Sequence, residues 1–276
     1  MGIPKSTDGK TRVLSLSYGK DSMACLGALE ELQWPLDRIV TADVWATDTI
    51  PADLPPMVEF KDYADKVILE RYGIEVEHFF AMRNGEKYTY EKMFYSIRKS
   101  GKRAGTICGF PFVGAPECNS ALKKPAIEAA VSSCADCIQY LGIAVDEPNR
   151  FHTLTDMKLS PLIAADLTEF DCKEWCKKNH LLSPIYENLA RGGCWFCHNQ
   201  GVQQLRLLRK QYPDLWALLL KWDTDSPVTF HADGHTVHNF DKRFELEDRG
   251  LIPTDRKFRW AMLDEELNLI ASINTN

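Results

Sequence analysis

The sequence predicts an α/β protein: a doubly wound, mostly parallel sheet with a helical C-terminal appendage. Three observations lead there. Short apolar runs alternate with helix-period stretches through the first 80 residues. A further apolar run at 138–145 has the length and composition of a buried strand. From residue 201 onward the chain reads as polar helices without strand-like runs. Strand, helix, strand, helix, strand in that order points to parallel pairing with helices on both faces. The expected division is a core domain over residues 1–200 and a helical subdomain over 201–276.

Residues 12–17 form the first expected strand, a short apolar run. Tyr18, Gly19 and Lys20 make a turn into a helix from Asp21 to about Gln33, whose apolar positions are Met23, Leu26, Ala28, Leu29 and Leu32. Residues 38–45 are the second strand. An amphipathic helix over about 57–72 follows and ends at Gly73. Residues 74–80 alternate and form the third strand. The segment 82–118 is less regular, with a basic cluster (Arg98, Lys99, Lys102, Arg103) and a loop rich in Gly and Pro at 109–116. Helices are expected at 119–131, 168–180, 201–211 and 213–222.

Composition narrows the function classes. With 45% hydrophobic and 26% charged residues, the chain is an ordinary globular one and neither disordered nor fibrous. At 276 residues it can bury a core without disulfide staples. A net charge of -6 argues against a general nucleic-acid coat protein, leaving room for a local basic patch. No apolar run approaches the ~20 residues that span a bilayer, so no membrane partner is expected. The polar first ten residues lack the apolar core of a signal peptide, and a cytoplasmic location is expected. Nine cysteines is an odd number, so they cannot all pair within the chain. In a reducing compartment, clustered cysteines point to metal binding or redox chemistry.

The sharpest local signal lies between the first strand and the first helix, in Ser15-Leu-Ser17-Tyr-Gly19-Lys20-Asp21-Ser22. A helix N-terminus exposes unpaired N–H groups and the positive end of its dipole, which suit a phosphate. Gly19 lets the backbone approach the ligand closely. The hydroxyls of Ser17 and Ser22 are candidate donors to phosphate oxygens, and Lys20 is a candidate counter-charge. Asp21 either caps the helix or helps hold Mg²⁺. A plain helix cap with a glycine turn explains the same spacing. The segment lacks the G-x-x-x-x-G-K-[ST] spacing of a Walker A loop.

The pattern Ser17-x-Gly19-x-Asp21-Ser22 after an apolar strand resembles the PP-loop of the ATP pyrophosphatases. Further segments are similar to the phosphoadenosine-phosphosulfate (PAPS) reductase branch of that superfamily. They are Cys118-x-x-x-Leu122-Lys123-x-Pro125, Gly142-Ile-x-x-Asp146-Glu147-x-x-Arg150, Ser160-Pro161-Leu162, Pro184-x-Tyr186 and Gly193-Cys194-x-x-Cys197. The ordered set spans residues 12–198. The resemblance implies an adenine nucleotide alpha hydrolase-like fold in the first 200 residues. It also implies ATP with Mg²⁺ as ligands, and adenylation of an acceptor with release of pyrophosphate. It implies Ser15, Ser17, Gly19, Asp21, Ser22, Asp146 and Glu147 as nucleotide-binding positions, and Asp43 or Asp48, which follow the second strand, are candidates to contact the base or ribose. Lys20, Asp21, Lys123 and Arg150 are the implied catalytic ones. Ligands of such open sheets lie beyond the carboxyl ends of the strands, where the loop at 17–22 and Asp146–Arg150 fall.

Cys194-x-x-Cys197 has the spacing of a metal knuckle. The resemblance adds Cys118 to it, and Cys108 is a candidate fourth sulfur. Four cysteines suit a [4Fe–4S] cluster or, alternatively, Zn²⁺. Three would leave an open iron able to carry a sulfide, and His198 is another candidate fourth ligand. Cys134-x-x-Cys137 leads into the apolar strand and reads as small core residues. Cys172 and Cys176 share a helix face and, like Cys25, read as core.

Two departures from the PAPS reductases stand out. No cysteine follows Cys197, where those enzymes keep a redox thiol. Cys118 has Glu117 and Asn119 beside it, where adenylyl-sulfate reductases have a Cys-Cys pair. The expected function is therefore an ATP pyrophosphatase that adenylates an acceptor, in nucleic acid, for sulfur incorporation. A sulfur-donor protein such as a cysteine desulfurase is the expected partner. The alternatives are a PAPS or adenylyl-sulfate reductase, and a non-catalytic nucleic-acid-binding module with a metal knuckle.

Overall fold

Five short strands between residues 11 and 159 form the central sheet. In a computed structural model, which describes residues 2–111, 117–132, 134, 136–187 and 192–274, the chain divides into two units. One is Met1–Met93 with Glu117–Cys194, and the other is Phe94–Pro116 with Trp195–Asn276. Most of the glycine- and proline-rich loop expected at 109–116 lies outside the described residues.

The first unit starts with β1 (Thr11–Ser15), α1 (Lys20–Leu32), β2 (Arg38–Ala42), α2 (Pro55–Tyr72) and β3 (Val76–Phe79). A two-stranded hairpin, β4 (Met82–Arg83) and β5 (Glu86–Lys87), and the short α3 (Tyr90–Phe94) close this stretch. The chain re-enters through a π-helical turn, Asn119–Lys123, continuous with α4 (Lys124–Val131). Then come β6 (Cys137–Tyr140), β7 (Lys158–Leu159), α5 (Pro161–Ala164) and α6 (Glu169–Lys178). The sheet order is β3-β2-β1-β6-β7, and every pair is parallel. The chain thus builds outward from β1 on one side, then returns to build on the other, which is the doubly wound arrangement the sequence predicts.

Strand alternation sorts the two faces. Leu14, Ile39, Ile138 and Tyr140 join α1, α2 and α6 in the larger core through Met23, Leu26, Phe60, Ile68, Cys172 and Cys176. Val13 and Val40, one residue away on each strand, face α4 through Ala130 and Ile127. Cys25, Cys172 and Cys176 are core, as their helical spacing suggests. Burial pushes the thiols of Cys172 and Cys176 up to about 12, so they stay protonated.

Helix ends follow local chemistry. Gly73 takes the left-handed conformation (φ 65°) after α2 and its N–H reaches Leu69 O. Thr168 and Asp171 form a reciprocal capping box at the start of α6. The expected strand over 138–145 is shorter, ending at Tyr140. Beyond it Gly142 turns against the backbone of α1, and Val145 bonds to Leu167 O instead of a neighbouring strand.

The second unit is helical: α7 (Val202–Gln211), α8 (Pro213–Asp225), α9 (Val237–Asp248) and α10 (Trp260–Asn274). Its aromatic centre stacks Trp195 on Trp222 and Phe94 on Trp222, with Phe110 edge-on to Phe94 and Phe230. Residues 94–111 are therefore part of this core. The basic cluster sits here on a small hairpin closed by an Ile97–Ile107 bridge. No described helix is long and apolar enough to cross a membrane.

Gly27 marks the tightest packing between α1 and α6: a Cβ there would overlap the indole of Trp175. Alanine in a helix interior normally gains ~1 kcal/mol over glycine. Gly27→Ala is nevertheless expected to destabilise by about 1–3 kcal/mol, the usual cost of overpacking. Urea unfolding measures this, and a gain in stability would show that Trp175 does not fill the space.

Candidate functional site

The segment between β1 and α1 is built to hold its backbone still. Tyr18 occupies the left-handed region (φ 55°), a conformation that costs a non-glycine residue ~1–3 kcal/mol. Its side chain secures it: the ring is 1% exposed and its hydroxyl donates to Asp65 at 2.6 Å. Burial, then Asp65, raises the Tyr18 phenol far above its ordinary range, so it remains a donor. Gly19 precedes α1 in extended conformation, and no side chain caps the helix.

Ser22 braces this turn from within. Its hydroxyl accepts from Ser17 N–H at 3.1 Å, lies 3.0 Å from Ser17 Oγ and contacts Gly19 O at 3.1 Å. It is buried, so its role in the structure is to shape the loop. Gly142 supports the loop from β6. A Cβ there would lie 2.6 Å from Ser22 N and 2.9 Å from the Asp21 carbonyl carbon. Only a glycine lets the two backbones approach this closely.

Beyond the carboxyl ends of β1 and β2 lies a cavity of about 440 Å³. Ser15, Ser17, Gly19 and Asp21 line it from the loop, and Lys123 and Ile127 from the helical segment leading to β6. Thr41, Ala42 and Val44 contribute from the end of β2, and Asp53 and Lys61 from the chain that follows. Tyr186, Gly192, Gly193 and Cys194 complete it. The volume falls within the ~300–1,000 Å³ typical of small-molecule pockets. Tyr186 accepts from Lys20 N–H at 3.3 Å, tying the Pro-x-Tyr segment to the loop.

Several expected site residues have other partners. Lys20 bridges Asp21 at 2.6 Å and Glu169 at 2.7 Å. Burial opposes its charge, but these two carboxylates hold its ammonium above the ordinary range. Arg150 pairs with Glu147 at 2.8 Å on an exposed surface. Asp146 accepts from the first N–H of α6, at Glu169, at 3.0 Å. Asp48 is exposed and pairs with Lys92 at 2.8 Å.

Asp21, Glu147 and Glu169 come together, each offering an oxygen within 4.8 Å of the others. This group could hold a divalent cation. An all-oxygen set suits a hard ion of the Mg²⁺ type. Burial raises the Asp21 carboxyl above its usual range, and Lys20 works against that shift.

A second polar network, absent from the sequence motifs, borders the cavity. Lys61 is only 12% exposed and bridges Asp53 at 2.6 Å and Asp43 at 2.9 Å. Asp43 also bonds His78 Nδ1 at 2.7 Å, and His78 Nε2 bonds Asp65 at 2.9 Å. Burial disfavours the Lys61 charge, but Asp53 and Asp43 hold its ammonium above the ordinary range. Asp43, then Asp65, push the His78 imidazole up to about 9, because both ring N–H groups face carboxylates. The relay runs from Asp53 in the cavity wall to Tyr18 in the loop. Lys61 and Asp65 alone resemble an ordinary charged i, i+4 pair on a helix face, which explains why sequence reading passed over them.

The four candidate metal cysteines have intermediate exposure. Cys118 and Cys194 belong to the first unit, Cys108 and Cys197 to the second. Cys194 lines the cavity, and Cys108 lies 3.2 Å from Ser96 Oγ.

Comparison with known proteins found no matching family model, no matching curated protein and no matching solved structure.

An imidazole raised from 6.5 to about 9 adds its stability in full below pH 6.5 and loses it as pH rises through 9. The thermal midpoint is therefore expected to fall between pH 6.5 and 9.5 more steeply in the native protein than in His78→Gln. Parallel curves would place the proton elsewhere.

Proposed function

We propose that the first unit binds ATP in this cavity and transfers AMP to an acceptor atom, releasing pyrophosphate, in preparation for sulfur incorporation. The observation that carries this reading is the shared lining of the 440 Å³ cavity. The loop residues Ser15, Ser17, Gly19 and Asp21, the cation Lys123 and the thiol Cys194 all open onto it, from distant parts of the chain. The loop and α1 offer backbone donors to the β- and γ-phosphates. Lys123 balances their charge, with Lys61 held deeper by its two carboxylates. The acceptor attacks the α-phosphorus, the bond to the bridging oxygen breaks, and pyrophosphate leaves with that electron pair.

The resemblance to the PP-loop enzymes supports the same assignment. Asp21, Glu147 and Glu169 would hold the Mg²⁺ that accompanies ATP, with Lys20 as the counter-charge when the ion is absent. Arg150 acts through Glu147 as a positioning residue in this reading. Asp43 belongs to the relay behind Lys61, and Asp146 fixes the start of α6 beside Glu169. Asp48 lies on the surface, paired to Lys92.

The sulfur step is assigned to Cys194 in the cavity wall and Cys118 in the same unit. Thiolates are the donors that Zn²⁺ and iron–sulfur clusters take, and a cluster held there would supply sulfur-carrying iron. A cysteine desulfurase is the donor class this chemistry calls for. Anaerobic purification with metal and sulfide analysis distinguishes a [4Fe–4S] cluster from Zn²⁺.

Pyrophosphate release from ATP, with and without nucleic-acid acceptors, tests the reaction. Sulfite release from an adenylyl sulfate in the presence of thioredoxin would favour a reductase instead. A Cβ at Gly19 would make ordinary contacts with Ser17 Oγ at 3.4 Å and Tyr186 OH at 3.5 Å. Gly19→Ala should therefore keep ATP binding. Gly19→Leu, reaching into the cavity, should weaken it about 100-fold or more, ~2.8 kcal/mol, with unfolding unchanged. Equal ATP affinity in both variants, measured by calorimetry, would remove the loop from the site.

The acceptor is assigned to nucleic acid on the strength of Arg98, Lys99, Lys102 and Arg103, four cations within six residues of an acidic chain. If all four meet phosphates, log K should fall with log salt with a slope of about −3. Reversing these charges should remove that slope. Absence of binding to RNA and DNA at low salt, read by fluorescence anisotropy, would rule out this acceptor.

A further inference from the structure

The parallel sheet has a second edge, where its strands begin, away from the cavity. Cys137 opens β6 there, opposite Thr11 at the start of β1, and Cys134 lies three residues before it. Both cysteines pack beside Val13, Val40 and Ala130, which accounts for their carbon atoms. Their sulfur atoms have polar surroundings that a small hydrophobe does not need. Arg38 Nη1 donates to Cys134 Sγ at 3.2 Å. That guanidinium is held in place: Nε and Nη2 each reach a Glu77 oxygen at 2.7 Å, and Nη1 also donates to Ala130 O at 3.1 Å. Both cysteines keep intermediate exposure. Burial first, and the neighbouring Cys134 second, push the Cys137 thiol up to about 11. Cys137 therefore keeps its proton at neutral pH, while the fixed guanidinium faces Cys134.

We propose that Cys134 and Cys137 form a thiol–disulfide exchange site, with Cys134 as nucleophile, Cys137 as resolving thiol and small organic disulfides of the glutathione type as oxidants. Two half-exposed thiols at Cys-x-x-Cys spacing with a cation against the first sulfur are the arrangement such exchange requires. The Cys134 thiolate attacks one sulfur of the small disulfide. That S–S bond breaks and the first small thiolate leaves. Cys137 then loses its proton to solvent and attacks Cys134 Sγ. The mixed disulfide breaks, the second small thiolate leaves, and a Cys134–Cys137 bond forms. Two electrons pass from the protein dithiol to the small disulfide. Arg38 is a positioning residue, steadying charge on the Cys134 sulfur. The site is independent of the ATP reading, since it lies at the opposite edge of the sheet and shares no residue with the cavity.

The test treats full-length protein anaerobically with oxidised glutathione and maps modified peptides by mass spectrometry over time. The expected product is a Cys134–Cys137 disulfide in the native protein. Cys137→Ser should accumulate a single glutathione adduct at Cys134, and Cys134→Ser should leave Cys137 unmodified over the same period. Arg38→Met should slow modification of Cys134 about tenfold, the size expected for losing a hydrogen bond to a charged group. Arg38→Lys keeps the charge without the two-point grip on Glu77 and should fall between the two. Circular dichroism checks that each variant is folded. If Arg38→Met unfolds, the lysine variant and Cys137→Ser decide the matter. Modification confined to Cys108, Cys118, Cys194 or Cys197 would overturn the proposal. So would an adduct at Cys137 in preference to Cys134, or a rate indifferent to Arg38.

Discussion

The first unit depends on a close approach of two backbones. Gly142, just past β6, lies where a single added carbon would meet the Asp21–Ser22 peptide. Because no side chain intervenes, the first turn of α1 rests directly on the end of the sheet. Ser22, buried at this contact, then uses its hydroxyl to fasten Ser17 and Gly19. Each such hydrogen bond contributes only ~1 kcal/mol, yet together they remove the freedom of the loop. A loop meant to bind a charged ligand gains from being ordered beforehand, since the entropy of ordering is then not charged to binding. The left-handed Tyr18 fits the same account, a strained residue kept in place by a buried ring and by Asp65.

Charge is arranged around that loop in two clamps. Lys20 sits between Asp21 and Glu169, and Lys61 between Asp43 and Asp53. Removing one partner from a largely buried pair such as Lys61–Asp53 typically costs ~3–5 kcal/mol, because the other charge is left unpaired. The two clamps differ in what borders them. Lys20 stands against two of the three carboxylates that could hold a divalent cation. Lys61 is backed by a relay that runs through the His78 imidazole and Asp65 to Tyr18. Of the first clamp Asp21 lines the cavity, and of the second Lys61 and Asp53 do.

Much of this was legible in the sequence, and the reasons for the exceptions are physical. The order of strands and helices followed from period and length, and the doubly wound sheet matches it. Gly73 and the C-terminal end of α2 were readable because glycine is the residue most often found in a left-handed cap. The run at 138–145 looked like one long strand, since hydrophobicity does not show that a chain turns at Gly142 to meet another backbone. The motif led to the loop but not to what each hydroxyl does, so Ser17 and Ser22 read alike although one lines the cavity and the other is buried. Lys61, Asp53 and His78 left no local trace, because their meaning lies in partners up to 60 residues away. Arg38 and Cys134 are further apart still, and only the pairing of β1, β2 and β6 explains their meeting.

The most direct measurement of the central claim is a crystal structure of the protein with Mg²⁺ and an ATP analogue whose α,β-bridging oxygen is a methylene group. The account predicts the phosphates against the backbone of Ser17–Gly19 at the start of α1, with the metal among Asp21, Glu147 and Glu169 and Lys20 displaced from them. A nucleotide bound elsewhere, with this cavity left to solvent, would contradict it.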